Sequence, residues 1–589
     1  MNKAQDIRAG VTFLKDLSHE SDRYLNTKEP FPEGTKTVRI IPLGGSEEIG
    51  GRNMTIIEYG KDIIAVDMGL KFPEEDQPGI DYLIPNPSYL RGKEDNIRGI
   101  LITHGHMDHI GGVPHVMGMI GNPPIYATPL TMAMMHRRQA ENPLAPALNG
   151  HVVKPGDVFK LGVFTIHVLH INHSIPDSTA LKIETPEGVI VHTGDFKIDK
   201  TPLGEEPADL DMYKRIGDEG VTVFLSDSTS IAKPGTAISE TTIQTNLDEI
   251  FQEAKGRVIA ATFSSMLNRL QQIIKISEKY GRSVVIEGFS MRTNLGLMKE
   301  LNYTDYNDKV IITPQEAMKL PPEKVTILCT GTQGEDNAAL MRIANREHRN
   351  FHIEKGDTVI FSSSVIPGNE DSVQRVKDLL ARQRAKIIHY KMMDVHVGGH
   401  APREDLRMML ELIRPQYLQP IYGDFYSLKQ HKDMAVESGM DPDNVLLTDN
   451  GRVIELYNGE ARVTTERVPA HNMMVDGLGI GDLQEVVIRD RQLMAQDGII
   501  TAIVLIDPET KKVTQDPEII SKGFVYMKSS FKLIQAIQEE VKIIAEKKMS
   551  KDMAPNEEYI KTAIREELGQ FLYQKTQRRP MILPVVVEV

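Results

Sequence analysis

Thr103-His104-Gly105-His106-Met107-Asp108-His109 decides the reading of this 589-residue chain, and it stands directly after a β-rich run, Arg98–Thr103. Three imidazoles and a carboxylate fall within six consecutive residues of a chain that has 18 histidines in all, a density that random placement does not give. Residues two apart on an extended loop point the same way, so His104 and His106 can meet one ion. Asp108 and His109 then reach a second position on the other side. Imidazoles with carboxylates suit Zn²⁺ first and Mn²⁺ next. The competing reading is a histidine cluster that only makes surface hydrogen bonds. Gly105, Gly111 and Gly112 fit a backbone pressed close around ions.

Two ions need further ligands. His173 sits in the polar loop beyond the strand Phe164–His170. His167 and His170 lie within that strand or at its end, where a hydrogen-bonded histidine is the commoner role. The run Val189–Thr193 leads into Gly194-Asp195-Phe196. A carboxylate at the mouth of a buried strand can bridge two metals, although an aspartate there taken alone reads as a turn residue. Asp67 closes the strand Ile63–Asp67.

Working outward, residues 1–36 read as an arm ending in a Pro/Gly-bearing stretch. From 37 to 240 short β-rich runs alternate with glycine turns, the pattern of hairpins in a mixed sheet. From 241 to 395 helical and strand-like runs alternate (Val258–Phe263, Ser283–Glu287, Val325–Cys329, Asp357–Ser362), which predicts a separate α/β layer. Residues 396–468 return with a helix at Glu404–Ile413 and a strand at Tyr417–Tyr422. Residues 469–490 read as a glycine-rich linker. Residues 491–589 form a small α/β domain in which Ile534, Ile537, Val541 and Ile544 share a helical face.

Hydrophobic residues make up 40% and charged residues 25%, the balance of a globular protein. The net charge of −14 argues against coating nucleic acid by bulk electrostatics, but not against a nucleic-acid enzyme with one basic channel. One cysteine, Cys329, excludes an internal disulfide framework and suits a reducing compartment. With no signal peptide and no membrane-length apolar run, the cytoplasm is the expected location and no membrane partner is expected.

His104–His109, His173 and Asp195 match, in order and context, the metal motifs of the metallo-β-lactamase superfamily. Asp67 matches that family's first motif, where the carboxylate orients the histidine loop. Ser226-Asp227-Ser228-Thr229 after Val221–Leu225, and His396-Val397-Gly398-Gly399-His400, resemble motifs of the β-CASP nucleases, closest among them the bacterial ribonuclease J family. The resemblance runs from about Val38 to the C-terminus and takes in the stretches 328–335, 361–370 and 476–482. It implies an α/β chain: a metallo-β-lactamase αββα sandwich, an inserted β-CASP α/β domain and a small C-terminal α/β domain.

The resemblance also implies roles. Two divalent ions, Zn²⁺ or Mn²⁺, about 3.5–4 Å apart would neutralise charge growing on a phosphate. Asp227 and His400 would be catalytic. Ser363, Ser364 and the backbone of His396, Val397, Gly398, Gly399 and His400 would take a 5′-monophosphate, and Arg269 would hold the RNA backbone. A turn serine, or an exposed helix charge for Arg269, is the plainer reading of these side chains, and Asp227 alone reads as a helix N-cap. The expected substrate is single-stranded RNA, preferably 5′-monophosphorylated, degraded 5′→3′ with some internal cleavage in decay and maturation. The C-terminal domain would build a homo-oligomer.

Two positions depart from the family. A histidine normally follows the strand after the His400 helix and completes the second metal site; here Tyr422 stands there, a far weaker ligand, with Asp424 as a possible substitute. Asn268 stands where a histidine is common. Two other readings therefore stay open: a DNA-directed β-CASP nuclease, and a catalytically weakened structural subunit.

Overall fold

The computed structural model describes residues 25–74, 76–366, 368–481, 485–507, 509–525, 530–549 and 557–589. Most of the expected arm, residues 1–24, lies outside the described residues. Its end does not stand free: Leu25 packs with Leu428 and Leu447, and the Phe31 N–H donates to the Glu455 carboxylate over 2.8 Å.

Runs of β-branched residues such as Ile63-Ile64-Ala65-Val66 favour extended backbone and are buried on both sides. They assemble into two sheets. The first has eight strands in the order Glu460–Arg467, Arg452–Tyr457, Val38–Gly44, Met54–Tyr59, Asp62–Val66, Ile97–Leu101, Ile125–Ala127 and Gly150–Val152. The second has six: Tyr417–Ile421, Val223–Asp227, Gly188–His192, Thr179–Thr185, Phe164–His170 and Val158–Leu161. One apolar core joins them, with Val38, Ile57 and Ile64 from the first sheet meeting Phe164, Ile183 and Leu225 from the second. The helices Leu210–Glu219, Arg403–Ile413 and Phe425–Glu437 cover the outer face of the second sheet through Ile216, Met409 and Met434. Helix Pro129–Ala140 lies on the far strands of the first.

A third sheet of five parallel strands carries the insertion, in the order Ser283–Glu287, Val325–Cys329, Val258–Ala261, Thr358–Phe361 and Lys386–His389. Alternate residues face opposite sides, as the two-residue strand period requires. Val258 and Ala260 meet the helices Glu240–Glu253, Leu267–Lys279 and Phe289–Glu300, while Ile259 and Ala261 meet Ala339–Ala344 and Glu370–Arg382. The insertion leaves the second sheet after Val223–Asp227 and returns to Tyr417–Ile421, its parallel neighbour. Thr103, His173, Asp195, Asp227 and Tyr422 therefore all stand at or just past the carboxyl ends of strands, where α/β folds place their chemistry.

Residues 72–83 and 473–589 form a second compact unit. Within the expected linker, Met473–Asp476 and Gly479–Gly481 pair as a hairpin rather than running free. The unit's main sheet centres on Ile499–Asp507, antiparallel to Glu518–Lys522 and parallel to Met581–Glu588. Helix Phe531–Met549 buries Ile534, Ile537, Val541 and Ile544 against it. Among the described residues, no helix is long and apolar enough to cross a membrane.

Candidate metal centre

The loop ends gather around one carboxylate. Asp195 Oδ2 lies 3.3 Å from His109 Nε2, 3.7 Å from His104 Nε2 and 3.8 Å from His173 Nε2. His106 Nδ1 lies 3.1 Å from His104 Nε2 and 3.0 Å from His173 Nε2. Among the described residues three groups that could hold an ion share Asp195: His104/His106/His173/Asp195, Asp108/His109/Asp195 and Asp195/Asp227/His400, and the ligand atoms of each lie within 4.8 Å of one another. Asp195 Oδ1 is buried with no hydrogen-bond partner among the described residues. Burial lowers the pKa of His106 to about 4 and those of His104 and His173 well below the usual imidazole value, so all three favour the neutral, ligating form. Neutral imidazole nitrogens converging beside an unpartnered carboxylate oxygen have too few protons to satisfy one another. A divalent cation satisfies them, and the residues fit one.

A surrounding shell fixes the orientation of each ring. Asp67, at a left-handed φ of 63°, accepts from the Thr103 N–H over 2.8 Å and from His109 Nδ1 over 2.7 Å, turning His109 Nε2 towards Asp195. His173 Nδ1 donates to the Gly399 carbonyl over 2.7 Å. A Cβ on Gly399 would sit 2.4 Å from His173 Cε1, so only glycine permits this approach. Gly111 and Gly112 also serve close packing, but against Leu70 and the backbone of Gly69 rather than around ions.

His400 Nδ1 pairs with Asp227 Oδ2 at 2.8 Å, and His400 Nε2 lies 3.9 Å from Asp195 Oδ2. Burial alone would depress the His400 pKa; Asp227 and Asp195 outweigh it and lift the value to about 9. Asp227 also accepts from the Thr229 N–H over 2.9 Å, so it makes a capping-type turn as well as the histidine contact.

Tyr422 reaches this centre, where its phenol is hydrogen-bonded to the shell behind His109. The hydroxyl donates to Asp67 Oδ2 over 3.2 Å and lies 3.4 Å from His192 Nε2. His192 Nδ1 accepts from the Gly194 N–H over 3.0 Å, which leaves Nε2–H to donate to the phenol oxygen. Burial and then Asp67 push the Tyr422 pKa well above that of a free phenol. Asp424 does not substitute: it is exposed and caps the helix Phe425–Glu437 by accepting from the Ser427 N–H over 2.7 Å.

Arg269 requires a correction. Its side chain is 1% exposed, and its guanidinium pairs with Glu240 at 2.6 Å, so it presents no charge to an RNA backbone. Asn268 is also buried and donates to Glu205 over 3.4 Å. Ser363 is buried and Ser364 half-buried, and the Ser364 carbonyl accepts from Gln333 Nε2 over 2.9 Å. His167 pairs with Glu184 at 3.0 Å and His170 bonds the Glu206 carbonyl at 2.8 Å, both outside the centre.

Three residues escaped the sequence reading. Asn53 Nδ2 lies 3.0 Å from His109 Nε2, on a strand entry that carries no recognisable signal. His192 was hidden as one more position of a buried strand, although its place three residues before Asp195 could have suggested it. Lys233 has its Nζ 3.5 Å from where a Cβ on Gly398 would be, a cation beside the His396–His400 backbone.

Comparisons with known proteins agree with this geometry. Residues 49–230 match the metallo-beta-lactamase superfamily, 255–380 the ribonuclease J beta-CASP domain, 387–446 a Zn-dependent metallo-hydrolase RNA specificity domain and 486–589 the ribonuclease J C-terminal domain. Ribonuclease J2 of Bacillus subtilis (strain 168) is 38% identical over 566 residues, covering 95% of this chain and 100% of that one. Ribonuclease J 1 of Streptococcus pyogenes serotype M3 is 38% identical over 550 residues, 93% of this chain and 97% of that one. A crystal structure of a protein of unknown function from Enterococcus faecalis V583 superposes with a TM-score of 0.51 at 18% identity, over 72% of this chain and all (100%) of the other, which speaks to fold alone. The chain belongs to the ribonuclease J family, and with it to the metal-dependent nuclease hydrolases of metallo-β-lactamase fold.

Proposed function

We propose that this chain hydrolyses single-stranded RNA from a 5′-monophosphorylated end in the 5′→3′ direction, with some internal cleavage, in RNA decay and maturation. The observation that carries this reading is the convergence of two ligand groups on Asp195, with the Asp227–His400 pair 3.9 Å away on the same carboxylate. His104, His106 and His173 would hold one ion, Asp108 and His109 the other, with Asp195 shared; Zn²⁺ suits this set best and Mn²⁺ next. Bound there, the ions supply positive charge to the scissile phosphate and make an attacking water more acidic.

The protein's own groups do the rest. His400, held through Nδ1 by Asp227, presents Nε2 towards the centre, where it contacts the phosphate and moves a proton. The N–H groups of His396–His400 with Ser363 and Ser364 form the 5′-phosphate pocket, and Lys233 adds a cation beside it.

The outward face of the C-terminal sheet supports a homo-oligomer. Ile503 pairs with Val585, Leu505 with Val587, and Ile520 lies across from Thr501, leaving a half-exposed to exposed apolar surface that a second copy would cover. One observation favours a second reading, a subunit with weakened catalysis: Tyr422 gives the second ion no imidazole.

The test is an assay of metal-loaded protein on matched 5′-monophosphorylated RNA and DNA, with and without chelator. RNA cleaved from its 5′ end and protected by chelator is the expected result. Preference for DNA, or no cleavage of either, would overturn the reading.

A further inference from the structure

Arg269 is enclosed, yet it is saturated with contacts that all lie next to the proposed site. Its Nη1 donates to Ser362 Oγ over 2.6 Å and to the Val395 carbonyl over 2.7 Å. Ser362 Oγ itself donates to the Val395 carbonyl over 2.7 Å. Ser362 immediately precedes Ser363 and Ser364, and Val395 immediately precedes His396. The two backbone segments of the 5′-phosphate pocket therefore start from atoms clamped by one guanidinium.

The other side of Arg269 leads to the metal loops. Its Nη2 pairs with Glu240 at 2.6 Å, and Glu240 Oε1 takes Lys197 Nζ at 3.3 Å. Lys197 Nζ also reaches Asp199 at 3.3 Å, and Asp199 accepts from the Glu240 N–H over 3.0 Å. Lys197 is two residues beyond Asp195, and its N–H donates to the carbonyl of Asn172, the residue before His173, over 2.8 Å. Two cations and two carboxylates close this network with no net charge left for a ligand. Displacing one member of such a buried network leaves its partner's charge uncompensated, so the four groups resist moving apart.

We propose that Arg269, braced by Glu240 and Lys197, is a positioning residue that sets the spacing between the 5′-phosphate pocket and the metal centre. This rests on the 5′-end reading of the site. A lysine at 269 keeps the charge for Glu240 but has no planar fork to hold Ser362, Val395 and Glu240 at once. Its effect should therefore fall on 5′-end discrimination rather than on the metal ligands.

The experiment compares kcat and KM on the same RNA sequence carrying a 5′-monophosphate or a 5′-hydroxyl, for wild type, Arg269→Lys and Ser362→Ala, with metal content measured in parallel. Arg269→Lys should lower the monophosphate-to-hydroxyl ratio of kcat/KM about tenfold, mainly through KM for the monophosphorylated RNA, with metal content unchanged. Ser362→Ala, a small change that leaves the Arg269–Glu240 pair intact, should shift the ratio the same way by less. A merely structural role would reduce the folded fraction and slow both substrates equally. Folded variants that keep the wild-type ratio overturn the inference. If Arg269→Lys does not fold, an unchanged ratio in Ser362→Ala has the same force. A wild-type protein with no preference overturns the 5′-end reading, and the inference with it.

Discussion

The two halves of the metal centre share Asp195 and one short loop, yet they are built unequally. The first half adds three buried or half-buried imidazoles, His104, His106 and His173. The second adds one imidazole, His109, and a carboxylate, Asp108, whose side chain is 25% exposed. Beside this half stands Tyr422, whose hydroxyl donates to Asp67. Each ring of the first half can give its lone pair wholly to an ion. In the second half the neighbouring aromatic group, Tyr422, hydrogen-bonds Asp67, the residue that orients His109. Adjacency along the chain thus sets two ligand groups side by side, and Tyr422 is brought beside them from far along the chain, 355 residues after the Asp67 it bonds.

The largest expected effect comes from the shared carboxylate. Asp195→Asn should lose both ions and nearly all activity, beyond the roughly 10–100-fold that loss of a supporting partner typically costs. Retained activity would break the comparison, because the halves would not depend on a common bridge. His106→Ala should empty the first half alone. His400→Ala should come next, with activity down by about 10²–10⁴-fold and both ions retained, as metal analysis beside the rate would show. Loss of metal in that variant would place His400 among the ligands.

Smaller changes lie outside the ligand set. Ser364→Ala should narrow the preference for monophosphate over triphosphate ends by roughly 1–3 kcal/mol, read from kcat/KM on the two RNAs. An unchanged preference would remove Ser364 from the pocket. His167→Ala should leave metal content and rate near wild type, since its ring pairs with Glu184. A large loss there would mean that the centre extends farther than its ligands.

The sequence made the first half legible because its ligands sit in compact, chemically improbable runs: a histidine loop, then His173 and Asp195 just past β-rich strands. The strands themselves were readable from β-branched runs, and Met54–Tyr59, Ser283–Glu287 and Val325–Cys329 begin and end as expected. What surrounds the ligands was not legible. Arg269 looks like any helix charge until Glu240, Ser362 and Val395 close around it, and those partners are 29 to 126 residues away in the chain. His192 and Asn53 gain their importance only from contacts with Tyr422 and His109. The hairpin at Met473–Gly481 looks like linker in the sequence because its glycines signal turns without showing that the flanking residues pair.

The most direct test of the unequal centre is a metal titration, Zn²⁺ or Mn²⁺ into stripped protein, counting ions by native mass spectrometry for wild type, Tyr422→His and Tyr422→Phe. Wild type should take up one ion tightly and a second only at higher metal concentration. Tyr422→His should bring the second affinity towards the first by supplying the missing imidazole, while Tyr422→Phe should bind two ions much as wild type does. Two ions of equal affinity in wild type, or loss of the second ion in Tyr422→Phe, would contradict the account: the first would show that the second half lacks no ligand, the second that Tyr422 is a ligand in its own right.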